Sequence, residues 1–244
     1  MAGPVALVGS GEYLPVMSKV DLHLLAGQPS RVVMLPTAAG QEGEDRLHYW
    51  RDLGLRHYEQ LGVEAIVLPV LNRDDAMSLE LADQIAGAGL IYLSGGSPAY
   101  LADSLRDTPV LAAIVKAWQA GAAVAGCSAG ACALTAVAGG FRHPEQLPEA
   151  GLSIIAHLAV IPHFDRFDQR DPRLVEGVLS RTDSHLTLIG VDERTALVGG
   201  PVDFEVMGDQ SVWWIDRSGG RQAYGPGTQL TLKPGEDPVA HRAS

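Results

Sequence analysis

Cysteine is scarce in this 244-residue chain, which holds two, Cys127 and Cys132. Five positions apart, they cannot build a disulfide framework, and no second Cys/His pair at zinc spacing accompanies them, so no structural metal is expected. Long apolar runs are missing as well, and no stretch of the sequence is long enough to span a bilayer. The opening residues, MAGPVALVGSGEY, lack a basic leader with an apolar run and a small-residue cleavage site. A cytoplasmic location is the expectation. Positive charge is in deficit, with 18 Lys and Arg against 29 Asp and Glu and a net charge of −11. Nucleic acid and anionic membranes are bound through clusters of Lys and Arg that displace counterions, so neither is an expected partner.

What is present is a core. Hydrophobic residues make up 46% of the chain and charged residues 19%, a balance that folds rather than one that stays disordered. The length suits one domain, expected over 1–234, with the polar tail 235–244 frayed. Short β-branched runs bounded by Gly or Pro recur at 4–9, 31–36, 64–70, 90–96 and 122–128. Runs without clean alternation suit parallel strands covered on both faces. Helical patterns lie between them, roughly over 42–61, 74–87 and 99–119. The alternation predicts an α/β fold: a doubly wound, mostly parallel sheet with helices on both faces. Beyond it come a helix near 171–181 and the runs LTLIGVDE, TALVGG, EVMGDQSVWWID and TQLTLKP, read as a hairpin-rich C-terminal edge.

The fifth strand runs into AVAGCSAGACAL, residues 123–134. Gly-x-Ser-x-Gly between a strand and a helix is the setting of a nucleophile elbow, where the positions two before and two after the nucleophile must be nearly free of side chain. Around Ser128 those positions are Gly126 and Gly130; around Cys127 they would be Ala125 and Ala129. The glycine frame selects Ser128, and Cys127 is left as a small buried hydrophobe. A serine hydroxyl needs a base in hydrogen-bond reach. Of eight histidines, His163 follows the strand-like LAVIP, which puts it at a carboxyl end, where α/β sheets gather functional groups. The oxyanion of an acyl-transfer intermediate needs donors. The Ala129 N–H is one candidate, and Gly95 or Gly96, in LSGGSPAYL, supplies another.

Taken together, LVGSGE, VMLPTAAG, YLSGGSPAYL, GCSAGA, IPHFDRFDQRDPRL and GVDERTALV resemble the serine peptidase family S51. That family contains dipeptidase E and cyanophycinase and is built on the class I glutamine amidotransferase-like fold. The resemblance runs over roughly 4–215. It implies Ser128 as nucleophile, His163 as base and an acid between them, in GGFRHPEQLPEAG, where Glu145 is favoured over Glu149. Asp192 or Glu193 would orient something in the site, in a stretch that looks structural and substrate-side.

The resemblance further implies short aspartyl peptides as substrate and no metal or organic cofactor; a substrate carboxylate needs fixed cations, and Arg166, Arg170 and Arg173 follow His163 closely enough to supply them. Homodimers occur in such families, although nothing in the sequence marks an interface. Two rival readings make different demands on the fold. An esterase-like hydrolase with the order Ser, acid, His would need something like Asp192 with His241. A binding or regulatory member that had lost activity would have Ser128 occluded or out of reach of His163.

Overall fold

The structure, a computed structural model, describes residues 1–139, 149–170 and 173–242, except for the side chains of 168–170, 173, 174 and 242. Five parallel strands, β1 (Val5–Val8), β2 (Arg31–Leu35), β3 (Glu64–Val67), β4 (Leu90–Leu93) and β5 (Ala123–Cys127), lie side by side in the order β1-β5-β4-β2-β3. Every residue of β1, β4 and β5 is buried. Successive side chains serve opposite faces, so Val5 and Leu7 enter one core while Ala6 and Val8 enter another. Two-sided burial is the physical reason these strands read as unbroken apolar runs.

Helices α1 (Ser18–Leu24) and α2 (Glu44–Gln60) send Val20, Leu24 and Tyr58 into the core of Ala6 and Val8. The opposite face is covered by α3 (Arg73–Ala76), α4 (Leu79–Asp83), α5 (Pro98–Leu105), α6 (Pro109–Gln119) and α7 (Ala129–Leu134), through Ala76, Ala82, Leu101, Ile114 and Ala131. Two of the expected helices are each divided. Between α5 and α6, Asp107 turns to φ 56° and the Thr108 side chain accepts from Leu111 N–H at 3.3 Å. Pro109, which has no N–H to lose, opens the second helix. Asn72 and Ser78 cap α3 and α4 in the same way.

After β5 the chain adds a small antiparallel pair, β6 (Val137–Gly139) and β7 (Glu149–Ala150). Then come β8 (Leu158–Pro162), α8 (Phe164–Arg170), α9 (Arg173–Arg181), β9 (Thr187–Val191), β10 (Thr195–Gly199), β11 (Asp203–Gly208), β12 (Val212–Ile215), β13 (Arg221–Tyr224), β14 (Thr228–Thr231) and β15 (Val239–Arg242). Strands β10, β11, β14 and β15 extend the sheet antiparallel from β1, so that it reads β15-β14-β11-β10-β1-β5-β4-β2-β3.

The tail expected to fray is corrected here: Val239–Arg242 pairs with Thr228–Thr231. The backbone N–H and C=O groups of an otherwise open edge draw it in. A second sheet, β13-β12-β9-β8, was not expected from the sequence. Its β8 and β9 run parallel, and β12 and β13 complete it in antiparallel fashion.

Candidate active site

The carboxyl ends of β1, β5 and β4, three neighbours in the main sheet, present Glu12, Ser128 and the Gly95–Gly96 pair. The carboxyl ends of β8 and β9, neighbours in the second sheet, present His163 and Glu193. The link from β9 to β10 carries Asp192, Glu193 and Arg194 from one sheet to the other. Arg194 N–H donates to Ser10 C=O at 3.1 Å, which brings that link against the loop after β1.

Ser128 holds φ 50°, ψ −103°, a conformation a non-glycine residue adopts only when its surroundings impose it. Its frame tolerates no side chain. A Cβ on Gly126 would fall 2.3 Å from the Gly130 carbonyl carbon, and one on Gly130 would fall 2.2 Å from the Leu93 oxygen. Cys127 is fully buried, and its Sγ–H donates to Glu12 Oε2 at 2.7 Å. Burial, and then the neighbouring Glu12 charge, push its thiol well above the usual range, away from the nucleophilic thiolate.

His163 Nε2 lies 2.9 Å from Ser128 Oγ, and Nδ1 lies 3.1 Å from Glu193 Oε1. In this arrangement Nδ1–H donates to the carboxylate, leaving Nε2 free to accept from the serine hydroxyl. His163 itself sits at φ 51°. The next residue, Phe164, fills space that only a glycine leaves open: a Cβ on Gly190 of β9 would meet the Phe164 ring at 2.4 Å. Glu193 is fixed through its backbone. Its N–H donates to Asp165 Oδ1 at 3.0 Å, and its C=O accepts from Gln210 Nε2 at 2.9 Å and Thr195 Oγ1 at 3.2 Å.

The expected acid needs correction. Glu145 lies outside the described residues, and Glu149 is exposed on β7, beside Gly139. The carboxylate on Nδ1 belongs to Glu193, so the chain order is serine, histidine, glutamate. The motif GVDERTALV already carried the signal, an acidic pair directly after a strand. Assuming an acid between Ser128 and His163 hid it.

Ala129 and one of Gly95 or Gly96 were expected as oxyanion donors, and the surroundings of the three separate them. Gly95 N–H is engaged by Glu12 Oε1 at 3.2 Å. Among the described residues, neither the Ala129 N–H nor the Gly96 N–H has a hydrogen-bond partner. Gly96 has φ 143°, and a Cβ there would fall 2.3 Å from the Ala38 oxygen. The loop is thereby pinned with its N–H available.

Ser128 and His163 open into a cavity of about 410 Å³ that is also lined by Glu12, Leu14, Glu42, Arg46, Tyr49 and Trp50. A neighbouring cavity of about 470 Å³ lies across Glu193 and is bordered by Arg166 and Arg194. Of the three arginines expected to bind substrate, Arg166 pairs with Glu193 Oε2 at 3.4 Å and Asp165 Oδ2 at 3.8 Å. Arg170 and Arg173 have side chains outside the described residues.

The esterase pairing is not assembled. Asp192 accepts from Trp213 Nε1 at 3.0 Å, while His241 lies in β15 at the far edge of the main sheet. Among the described residues, no group of three or more His, Cys, Asp or Glu side chains is arranged to hold a metal ion, and no helix is long and apolar enough to cross a membrane.

Residues 5–202 match the family model for peptidase family S51. A cyanophycinase of Trichormus variabilis is 28% identical over 172 residues, covering 66% of this chain and 57% of its own length. A cyanophycinase of Synechococcus elongatus is 27% identical over 202 residues, covering 78% and 60%. The chain thus spans under two thirds of the curated relatives it matches. Among solved structures, the crystal structure of a peptidase from an acI-B1 Actinobacterium superposes at a TM-score of 0.86 with 38% identity, over 95% of this chain and 98% of that one. A structure from Listeria monocytogenes EGD-e superposes at 0.59 with 15% identity over 100% of both chains, a likeness of fold alone.

Proposed function

The chain belongs to peptidase family S51, and from that premise we propose that it is a serine peptidase hydrolysing short peptides at an aspartyl residue through an acyl-enzyme. The observation that carries the reading is the relay Ser128 Oγ, His163 Nε2, His163 Nδ1, Glu193 Oε1, with contacts of 2.9 Å and 3.1 Å. It is the geometry a serine needs to be deprotonated as it attacks.

His163 Nε2 takes the hydroxyl proton as Ser128 Oγ bonds to the substrate carbonyl carbon. The new oxyanion accepts from the Ala129 and Gly96 N–H groups. Collapse of the intermediate breaks the C–N bond, and the departing amine takes the proton from Nε2. Water then attacks the ester, giving its proton to His163, which returns one to Ser128. Through both halves Glu193 holds the imidazole in one tautomer and faces the imidazolium charge.

An aspartyl preference is what the family resemblance implies; Arg166, which borders the neighbouring cavity, would reach a substrate carboxylate by giving up its contact with Glu193. The test is amine release from Asp-Leu, β-Asp-Arg and non-acidic dipeptides, with wild type beside Ser128→Ala. Release confined to aspartyl substrates and abolished by the substitution is the expected result. Equal release from the non-acidic peptides would remove the specificity, and release that survives Ser128→Ala would remove the mechanism.

A further inference from the structure

Glu12 has no part in the relay, yet its carboxylate stands beside the nucleophile. It is 7% exposed and lines the cavity with Ser128 and His163. The position a Gly95 Cβ would occupy is 3.1 Å from Glu12 Oε1 and 3.7 Å from Ser128 Cβ, so carboxylate and nucleophile flank the same point. Its oxygens accept one bond each, from Gly95 N–H at 3.2 Å and Cys127 Sγ–H at 2.7 Å. A carboxylate has about four acceptor sites, so capacity remains.

Among the described residues no Lys, Arg or His forms an ion pair with Glu12. Arg46, the cation of the same cavity, is held 3.4 Å from Glu42 and 4.9 Å over the Trp50 ring. Both donors to Glu12 are neutral, so the carboxylate keeps free acceptor sites and has no counter-charge, a setting an ammonium group fits. In a substrate attacked by Ser128 at the carbonyl of its first residue, the α-nitrogen lies about 2.5 Å from the attacked carbon. Since Glu12 and Ser128 flank the same point, a nitrogen that close to the attacked carbon comes within range of the carboxylate when the first residue lies on the Gly95 side of the nucleophile.

We propose that Glu12 receives the free α-ammonium of the substrate's first residue, so that the site selects peptides by their unblocked amino terminus. The inference rests on the peptidase reading for where the peptide lies. It also gives Gly95 a task other than oxyanion binding: its N–H holds Glu12, and its missing side chain leaves room between Glu12 and Ser128. Cys127, kept as a thiol, donates to the second oxygen and fixes the carboxylate plane.

The test is binding rather than turnover. Ser128→Ala protein is titrated calorimetrically with Asp-Leu and with N-acetyl-Asp-Leu, alone and combined with Glu12→Gln or Glu12→Asp. The expected result is about ten-fold or greater preference for the free peptide, the range of one hydrogen-bonded charge. Glu12→Gln should erase that preference and Glu12→Asp restore part of it. No preference in the Ser128→Ala protein, whether both peptides bind or neither does, overturns the inference, as does a preference that survives Glu12→Gln. If the Gln variant fails to fold, the first comparison and the Asp variant still decide. Wild-type hydrolysis of Asp-Leu is followed separately: discrimination without hydrolysis would sink the peptidase reading and leave the ammonium site standing.

Discussion

At the scale of single residues, Ser128 and His163 both hold a positive φ, 50° and 51°. Each departure costs about 1–3 kcal/mol, which surrounding packing must offset. What that strain secures is direction: one turn lifts Oγ clear of β5 and the other turns the imidazole back toward it. The adjacent Cys127 and Ser128 have opposite fates for the same reason, one buried against Glu12 and the other open to the cavity. Ser128→Ala is therefore expected to lower kcat by roughly 10³-fold or more. Cys127→Ser, which keeps a donor to Glu12, should leave kcat within about three-fold, well under one hydrogen bond's worth. Amine release, with circular dichroism to confirm folding, checks both, and the reverse pattern would hand the reaction to the cysteine. For the acid, Glu193→Gln should lower kcat by about 10²–10⁴-fold with KM little changed, since it orients the base rather than touching substrate. Glu149→Gln should do nothing measurable. A large effect at Glu149 would mean that the relay works through a different carboxylate.

At the scale of elements, the site depends on two crossings where side chains are forbidden. Gly126 and Gly130 let β5 and α7 meet at the elbow, and Gly190 lets β9 pass the Phe164 ring that anchors His163. Gly190→Ala would insert a methyl group where only 2.4 Å is available. A loss of about 1–3 kcal/mol in stability is expected from overpacking, with a fall in kcat larger than that loss alone explains. Denaturant unfolding beside kinetics tests this, and unchanged kcat in a destabilised protein would show that Phe164 does not position His163. The elbow was legible in the sequence because its requirements are local: strand, glycine, serine and glycine within five positions. His163 was legible because a strand ends just before it. Glu193 was legible only as one of an acidic pair after a strand, and Glu12 not at all, since each meets its partner through strand order rather than spacing, Glu193 across 30 residues and Glu12 across 115. The division between α5 and α6 was readable from Pro109 but was overridden by apolar periodicity, which continues on both sides of it.

At the scale of the molecule, the relay is split between two sheets. The nucleophile and the candidate oxyanion donors come from the main one, the base and the carboxylate from the second, and the β9 to β10 link joins them. Parallel alternation made the first half of the fold readable. The second sheet was hidden because β8 and β9 pair across two helices and take β12 and β13 as further partners, a long-range choice that no single run records. On the second-sheet side, the joint between the sheets is anchored by Asp192, which precedes Glu193 and bonds to the stretch that enters β12. It is 4% exposed and accepts from Trp213 Nε1 at 3.0 Å and Ser211 N–H at 3.2 Å. Burial lifts the Asp192 carboxyl above the usual range, while the Trp213 and Ser211 bonds draw it back. Because the folded value is raised, this site contributes most stability below the unfolded pKa and loses it as pH rises through the folded one. Trp213→Phe removes a donor that serves the ionised form, so its cost should grow in the same direction. About 1–3 kcal/mol is expected near pH ~7, where a buried carboxylate is left short of a partner, and clearly less near pH ~4. Unfolding midpoints at the two pH values measure it. An equal cost at both would assign the effect to lost packing of Trp213 on Phe164, whose ring centroids lie 5.8 Å apart, and would take Asp192 out of the joint. If the cost tracks Asp192 ionisation and kcat falls with it, the relay depends on the hydrogen-bonded link that carries Glu193 as well as on the residues that line the site.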